Sequence, residues 1–228
     1  MSEKTLFLFS MTVAFPALVG LSRMHKIERS YYPFLIYIFV SVLNELLVWF
    51  VLPPDSRDAR TLDWQLFNLF EAVVLVTQFY YWRVFSRFKS SYTVLIAVLV
   101  CGWILENLIF SNIYQFNPVY PIAKPFILVL LSVQTINHII VNQNRSPLSR
   151  NAMFIICVAL VIYFIYNIFV YTLQAKGISK TNKVLMGKVF EIMVYINAFT
   201  NILFGIAACF IPEKISRKNL FSRNLQSK

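Results

Sequence analysis

Long apolar segments dominate the chain, and each is interrupted by only a few polar residues. A membrane-spanning helix needs about 20 predominantly apolar residues, and seven segments meet that length. They cover residues 5–22, 31–52, 63–83, 92–113, 119–141, 151–174 and 184–211. These segments lack the alternation expected of membrane β-strands, and backbone groups cannot stay unpaired in hydrocarbon. The pattern therefore predicts an all-α, polytopic membrane protein with seven transmembrane helices.

The domain organisation follows from how little chain lies between these segments. Loops of roughly 7 to 12 residues leave no room for a soluble domain. We therefore expect a single seven-helix transmembrane domain over residues 1–211 and a short basic cytoplasmic tail over residues 212–228. The first segment is expected to be a retained helix, since Glu3 weakens a signal-peptide start and Arg23 follows the apolar run closely.

Composition supports the membrane class and excludes an ordinary soluble domain. Hydrophobic residues make up 58% of the 228 residues, aromatic residues make up 17%, and only five residues are glycine. The net charge of +11 arises mainly in short loops, where lysine and arginine meet anionic lipid headgroups. We therefore expect the lipid bilayer as a partner and no nucleic acid.

The distribution of basic residues predicts the orientation. One side of the predicted bundle collects 13 of the 21 basic residues, namely Arg23, Lys26, Arg29, Arg83, Arg87, Lys89, Arg145, Arg150, Lys214, Arg217, Lys218, Arg223 and Lys228. On the other side, basic residues are partly offset by acidic ones such as Asp55 and Asp58. The positive-inside rule then predicts an external N-terminus and a cytoplasmic C-terminus.

Four glutamates lie inside four different apolar segments: Glu45, Glu71, Glu106 and Glu191. Counted along each helix at 1.5 Å per residue, each glutamate lies roughly 10 to 12 Å below the outer boundary. A charge at bilayer depth is costly unless it faces protein or water, so such residues indicate a functional site. We expect the four to share a buried polar layer in the outer half of the bundle.

Other polar residues fall near the same level and complete the candidate site. The expected ligand-binding residues are Glu45, Glu71, Glu106, Lys124, Asn167, Lys188 and Glu191, supported by Asn68, Tyr163 and Tyr195. Helical spacing places some of them on one stripe, as for Lys188, Glu191 and Tyr195 in the last segment. No catalytic residue is assigned.

Two interpretations of the glutamates stay open. In the first, the glutamates touch interfacial water or pair with Lys124 and Lys188. In the second, the layer carries an excess of negative charge that must be compensated. Retained protons, a cationic ligand or a bound hard cation would relieve it. We expect a small cationic ligand. No metal or cofactor is predicted, because the three cysteines lie within helices and show no metal-binding spacing.

Three segments of the chain resemble uncharacterised seven-helix proteins that are common in bacteroidete genomes. They read LFNLFEAVVLVTQFYYW, VIYFIYNIFVY and NAFTNILFGIAACF, and the matching positions include Glu71, Tyr163, Asn167, Asn197 and Asn201. Those proteins often carry a His-Asn pair where this chain has Met193 and Val194, so no role tied to that pair is expected. The resemblance implies a bacterial inner membrane. It supplies no established activity, but a loose association of such genes with signalling kinases favours sensing.

Three functions remain open, beside a fourth option, a structural subunit of a larger membrane complex. The first is a receptor-like sensor or accessory binding subunit of a membrane complex, whose outward-facing polar pocket is read by a membrane or cytoplasmic protein partner. The second is a proton- or cation-coupled transporter, in which Gln78, Gln134, Thr135 and His138 extend a polar route inwards. The third is a membrane-embedded lipid hydrolase with a carboxylate pair, for which no nucleophile or metal set is visible. The sequence leans away from an enzyme and favours the first.

Overall fold

The computed structural model describes residues 3–53, 55–86, 89–142, 147–175 and 182–214. Within these ranges the chain forms no strand, and a single isolated backbone bridge joins Ile27 to Glu213. The α-helices are α1 (Glu3–Ser10), α2 (Ala14–Arg23), α3 (Tyr32–Leu46), α4 (Arg57–Tyr81), α5 (Lys89–Ile104), α6 (Val119–Asn142), α7 (Ala152–Ala175) and α8 (Lys183–Phe210). The all-α prediction is confirmed.

Six stretches of the described chain are long and apolar enough to cross a membrane. They are Lys4–Arg23, Arg29–Val51, Ser90–Phe110, Val119–Asn142, Ala152–Ala175 and Val184–Phe210. The first stretch combines α1 and α2 through a 3-10 turn, Met11–Val13. The prediction of a helical, multi-pass membrane protein is thus confirmed at this level. The tail predicted over 212–228 lies outside the described residues from position 215 onwards.

Helix α4 corresponds to the third predicted segment, residues 63–83, but it differs from the other six. It has 25 residues, begins six residues before the predicted start at Asp63, and is less apolar than the six stretches above. Its polar residues Gln65, Asn68, Glu71 and Gln78 are all at most 3% exposed. Their spacing of three and seven residues places them on one face. The face of α4 that points into the bundle is therefore polar, which explains its low hydropathy.

Two helices end in a wider, π-helical turn. Leu47–Val51 extends α3, and Leu105–Phe110 extends α5. Glu45 lies just before the first of these segments, and Glu106 lies within the second. Segments of this kind are rare in proteins and are frequent at functional sites. Two of the four predicted glutamates are therefore held at irregular helix ends.

The helices pack into a closed bundle. Helix α7 packs against α6 and α8, and α8 returns to α1 and α2 at the start of the chain. Helix α4 contacts α3, α5 and α6 and so lies next to three neighbours. The largest fully buried apolar side chains come from several of these helices and include Phe34, Phe79, Leu128, Ile156 and Phe164.

One end of the bundle carries Arg23, Arg29, Arg83 and Arg150, and we call it the basic end. Hydrogen bonds to backbone carbonyls hold the C-terminus of α8 in place there. The Arg23 guanidinium donates to the carbonyls of Ala208 at 2.8 Å and Ile211 at 3.3 Å, and also to that of Cys209. These carbonyls lie at the C-terminus of α8, where they have no partner within the helix. The Lys214 amide donates to the Lys26 carbonyl at 2.7 Å beside them. Arg23 thereby fastens α8 to the end of α2.

Gln78 of α4 fastens the start of α3 in a similar way. Its Oε1 accepts a hydrogen bond from the Phe34 amide at 2.8 Å, and its Nε2 donates to the Ser30 carbonyl at 2.7 Å. The first amides of a helix lack intrahelical acceptors, so a buried glutamine can satisfy one of them. The side chain is 1% exposed, and Gln78 therefore acts as a buried cap of α3.

Close packing of α8 on α2 gives a first prediction. A Cβ atom added at Gly205 would lie 2.1 Å from the Phe15 ring, whereas one added at Gly187 of the same helix meets nothing within 4 Å. We expect Gly205→Ala to lower the free energy of unfolding by about 1 to 3 kcal/mol, because the ring must move. We expect Gly187→Ala to raise it by about 0.5 to 1 kcal/mol through helix propensity. Unfolding in mixed micelles measures both, and equal effects of the two variants would contradict the packing.

Candidate functional site

A buried polar network joins α3, α4 and α6 inside the bundle. The Lys124 ammonium contacts a Glu71 carboxylate oxygen and donates a hydrogen bond to Asn68 Oδ1 at 2.6 Å. The Tyr37 hydroxyl donates to the other Glu71 oxygen at 3.0 Å. All four side chains are at most 7% exposed. We call Tyr37, Asn68, Glu71 and Lys124 the central network.

The central network is complete enough to hold two charges in an apolar bundle. Each charge faces an opposite one, and Asn68 and Tyr37 supply the additional hydrogen bonds that a buried ion pair requires. The Lys124 ammonium also lies 5.6 Å from the centre of the Phe164 ring of α7. Four helices thus contribute to one small cluster, and removing either charge would leave the other without compensation.

A cavity of 400 Å³ lies between α1, α4, α7, α8 and the end of α3. Its polar lining comes from Ser10, Glu45, Arg60, Tyr163 and Asn197, and the rest of the wall is apolar. We call it the Glu45 cavity. No ion pair joins Glu45 to Arg60 within the described ranges, so the cavity offers an acid and a base that do not neutralise each other directly.

The Glu45 cavity continues inwards to the central network. A smaller space of 60 Å³ shares Glu45, Tyr163 and Asn197 with it and adds Tyr37 and Ser41 to the lining. The Tyr37 hydroxyl donates to Glu71, so the inner end of the cavity is formed by a residue of the network. A molecule in the cavity would therefore lie one side chain away from the buried ion pair.

The Glu45 cavity also continues outwards into a cleft of 430 Å³. The two spaces share Arg60, Phe190 and Met193, and the cleft adds Arg57 and the Trp64 ring. Arg60 holds its position through long hydrogen bonds to the carbonyls of Pro53 at 3.3 Å and Val48 at 3.4 Å. We call this space the arginine cleft. It places positive charge at the entrance of the cavity.

The structure divides the four predicted glutamates among different surroundings. Glu71 belongs to the central network, and Glu45 lines its own cavity beside Ser10. Glu106 accepts hydrogen bonds from the amides of Val119 at 2.7 Å and of Tyr120, and so caps the N-terminus of α6. The four glutamates therefore do not share the one buried polar layer that we expected from the sequence. A common depth along four helices does not determine which way each residue faces.

The three predicted residues of α8 lie apart from these spaces. Lys188 is exposed and Glu191 is half-buried, and neither lines the Glu45 cavity or the arginine cleft. Tyr195 is 52% exposed and packs edge-on against the Phe9 ring of α1, with ring centres 5.0 Å apart. None of the three residues therefore lines the Glu45 cavity or the arginine cleft.

Two predicted site residues of α7, Tyr163 and Asn167, lie between the surroundings of Glu45 and those of Glu71. Tyr163 lines the Glu45 cavity and is close enough to both Glu45 and Glu71 for electrostatic interaction. Asn167 follows one turn later and is 3% exposed. Its side chain lies beside Tyr163, but its Oδ1 has no hydrogen-bond partner among the described residues. Helix α7 thus adds polar groups to the space between cavity and network.

Three residues that line the Glu45 cavity are not among the predicted site residues: Ser10, Trp49 and Arg60. The sequence pattern places Arg60 in a loop, because the third predicted segment begins at Asp63. In the structure α4 begins at Arg57, which puts Arg60 one turn before Trp64 on the same helix. The spacing of these two residues could have indicated a shared face, had the helix been extended outwards.

Four polar residues, Gln78, Gln134, Thr135 and His138, were expected to extend a polar transport route towards the basic end. The structure places each of them elsewhere. Gln78 caps α3, and the Thr135 hydroxyl donates to the Leu131 carbonyl at 2.7 Å. Gln134 and His138 are exposed on the outside of the bundle. Within the described chain, these four residues therefore do not line a continuous polar passage.

Comparisons with known proteins give no identity. No family model, no curated protein and no solved structure matches this chain. Within the described residues, no group of three or more histidine, cysteine, aspartate or glutamate side chains could hold a metal ion. The function must therefore be inferred from the geometry alone.

The central network yields a second prediction. Glu71→Gln or Lys124→Met alone should lower the free energy of unfolding by about 3 to 5 kcal/mol, because each leaves one buried charge unpaired. The double variant should lose less than the worse single variant, since no charge remains buried. Glu213→Gln is the control, because its pair with Arg23 is long, at 3.9 Å, and partly exposed. It should cost at most about 1 kcal/mol. Strictly additive losses would contradict a coupled pair.

Proposed function

We propose that this chain is a receptor-like sensor, or the ligand-binding subunit of a membrane complex, in a bacterial inner membrane. In this proposal α4 completes a set of seven spans, the N-terminus is outside, and the C-terminus is cytoplasmic. The abundance of arginine at the basic end supports that orientation. The Glu45 cavity and the arginine cleft would then open outwards.

One observation carries the binding function: the Glu45 cavity holds an acidic and a basic group that form no ion pair with each other among the described residues, within a mostly apolar wall. Ligand sites commonly combine an apolar lining with a few polar groups that fix orientation. Arg60 stands towards the entrance and Glu45 deeper in the same cavity. A ligand with an ammonium group and a carboxylate or phosphate group would match both, so the expected cationic ligand becomes a zwitterion with an apolar portion.

The position of the cavity supports sensing. Tyr37 lines its inner end and is hydrogen-bonded to Glu71, which is paired with Lys124 of α6. A ligand that changes the position of Tyr37 would therefore act on contacts between α3, α4 and α6. Such a shift could be read at the basic end by a membrane or cytoplasmic protein partner.

Binding is better supported than transport or catalysis. The side chains expected to extend a polar passage are engaged in capping or are exposed outside the bundle. A hydrolase would need two carboxylates acting on one substrate, but Glu71 is already paired with Lys124 and Glu106 caps α6.

Three related probes test the ligand class. Phenylalanine carries both charges, phenethylamine only the ammonium group, and 3-phenylpropionate only the carboxylate. We expect phenylalanine to bind the purified protein at least about tenfold more tightly than either analogue, because each charged hydrogen bond adds about 1.5 to 3 kcal/mol. Glu45→Gln should remove the preference over 3-phenylpropionate, and Arg60→Gln the preference over phenethylamine. Calorimetry or tryptophan fluorescence measures the affinities.

Glu191→Gln provides the matched control. By residue count along the helices, Glu191 lies at a depth similar to that of Glu45, but it does not line the Glu45 cavity. The preference for phenylalanine over each analogue should therefore stay as in the parent protein. Absence of binding by all three probes would overturn the zwitterion assignment. Equal effects of Glu45→Gln and Glu191→Gln would overturn the site.

Cysteine labelling tests the seven spans and the orientation. Asp55 and Ser86 lie on either side of α4, so each can be replaced by cysteine in a background with the three native cysteines changed to alanine. We expect a membrane-impermeant maleimide to label Asp55→Cys on intact spheroplasts and Ser86→Cys only after permeabilisation. Labelling of both from outside would mean that α4 does not cross, and the reversed pattern would invert the orientation.

A further inference from the structure

A second space lies on the other side of the central network, between α5 and α6. It is a groove of 480 Å³ whose lining is mostly apolar and includes Val98, Leu99, Gly102, Leu105 and Ile127. We call it the α5–α6 groove. Nothing in the proposed ligand site uses it, and it shares no residue with the Glu45 cavity.

The groove faces the surroundings of the bundle. Val98 is 56% exposed, Leu105 43% and Phe110 79%, and all three line it. In a multi-pass membrane protein, large apolar side chains exposed along a spanning helix contact lipid. The groove is therefore open to hydrocarbon.

The length of the groove matches one leaflet. Along α5 and its π-helical extension it runs from Val98 to Ser111, which at 1.5 Å per residue is roughly 20 Å. Half of a bilayer's hydrocarbon core is about 15 Å thick, so the groove spans that half and reaches the headgroup boundary. The end at Ser111 and Asn117 is polar, whereas the end at Val98 and Ile127 is apolar.

The polar end contains an unused hydrogen-bonding group. Tyr120 lines the groove in the first turn of α6 and is 4% exposed. Its hydroxyl has no hydrogen-bond partner anywhere in the described part of the chain. A buried hydroxyl without a partner is costly, so a ligand that offers an acceptor at this position would be stabilised. The glycerol ester carbonyls of a phospholipid lie at the headgroup boundary and are such acceptors.

The walls of the groove are fixed before any ligand enters. Glu106 in the π-helical segment accepts from the first amides of α6, and Asn117 donates to Asn107 Oδ1 at 3.0 Å. Gly102 supplies the space for a chain, because a Cβ atom added there meets nothing within 4 Å. A preformed site of this kind avoids part of the ordering cost of binding.

We propose that the α5–α6 groove holds one acyl chain of a phospholipid, whose ester carbonyl accepts a hydrogen bond from the Tyr120 hydroxyl. The occupied leaflet is the one at the start of α6, which is the outer leaflet in the orientation proposed above. The site is independent of the Glu45 cavity, so its failure would not affect the ligand-binding proposal.

A matched pair of glycine variants tests occupancy. Gly102→Leu adds a branched side chain to the groove at a position where a Cβ atom meets nothing within 4 Å, and Gly187→Leu adds the same side chain to α8 at a position that is equally open at the Cβ atom. Native mass spectrometry of the purified full-length protein should show one retained phospholipid in the parent and in Gly187→Leu. It should show at least a fivefold smaller lipid-bound fraction in Gly102→Leu. Equal retention in the two variants, or equal loss from both, would overturn the proposal.

An ester and an ether lipid test the hydrogen bond. Delipidated protein is titrated with dioleoyl phosphatidylglycerol and with its diether analogue, which lacks the carbonyls but keeps the chains and headgroup. We expect about two- to tenfold tighter binding of the ester lipid, the range expected for one neutral hydrogen bond. Tyr120→Phe should abolish that preference while leaving ether-lipid binding unchanged. Equal binding of both lipids by the parent protein, or a preference that survives Tyr120→Phe, would overturn the role of Tyr120.

Discussion

The buried polar face of α4 is the constraint on which the rest of the bundle depends. In a bilayer, apolar packing between helices competes with equally apolar lipid, so hydrogen bonds between helices help to specify how the helices are arranged. Gln78 holds the start of α3, Glu71 holds Tyr37 of α3 and Lys124 of α6, and Gln65 Nε2 donates to the Gln115 carbonyl at 3.3 Å. Because these contacts occur at three heights, α4 can neither rotate nor slide without leaving polar groups unpaired in the interior.

The same face shows how far the sequence could predict the structure. The helices were predictable because six stretches are apolar enough on composition alone, and α4 was predicted because residues 63–83 are still mostly apolar, although its polar first turns were not. The depth of Glu71 and Lys124 could be counted, and their pairing was one of two interpretations left open. The role of Glu106 could not be predicted, since its partners are backbone amides 13 and 14 residues further along the chain. Those contacts depend on how the intervening loop folds back.

The proposed ligand site and the proposed acyl-chain site are spaces on opposite sides of the central network. Tyr37 lines the inner end of the Glu45 cavity, and Lys124 lines the α5–α6 groove. Both side chains contact the Glu71 carboxylate, one on each oxygen. The central network thus separates the Glu45 cavity from the α5–α6 groove. A molecule in either space lies next to a group that is hydrogen-bonded to Glu71.

This arrangement determines how a signal could pass through the bundle. A ligand shifts a conformational equilibrium only if it binds the two conformations with different affinity. In the Glu45 cavity that difference would arise at Tyr37, because its hydroxyl can donate to Glu71 or to a ligand but not to both at once. Losing that bond would weaken the hold of α3 on α4, while Lys124 would keep α6 in place. Coupling between two sites is reciprocal, so if a lipid beside Lys124 also binds the two arrangements with different affinity, ligand and lipid change each other's affinity by the same factor. In that case sensing in this bundle would depend on the lipid around it.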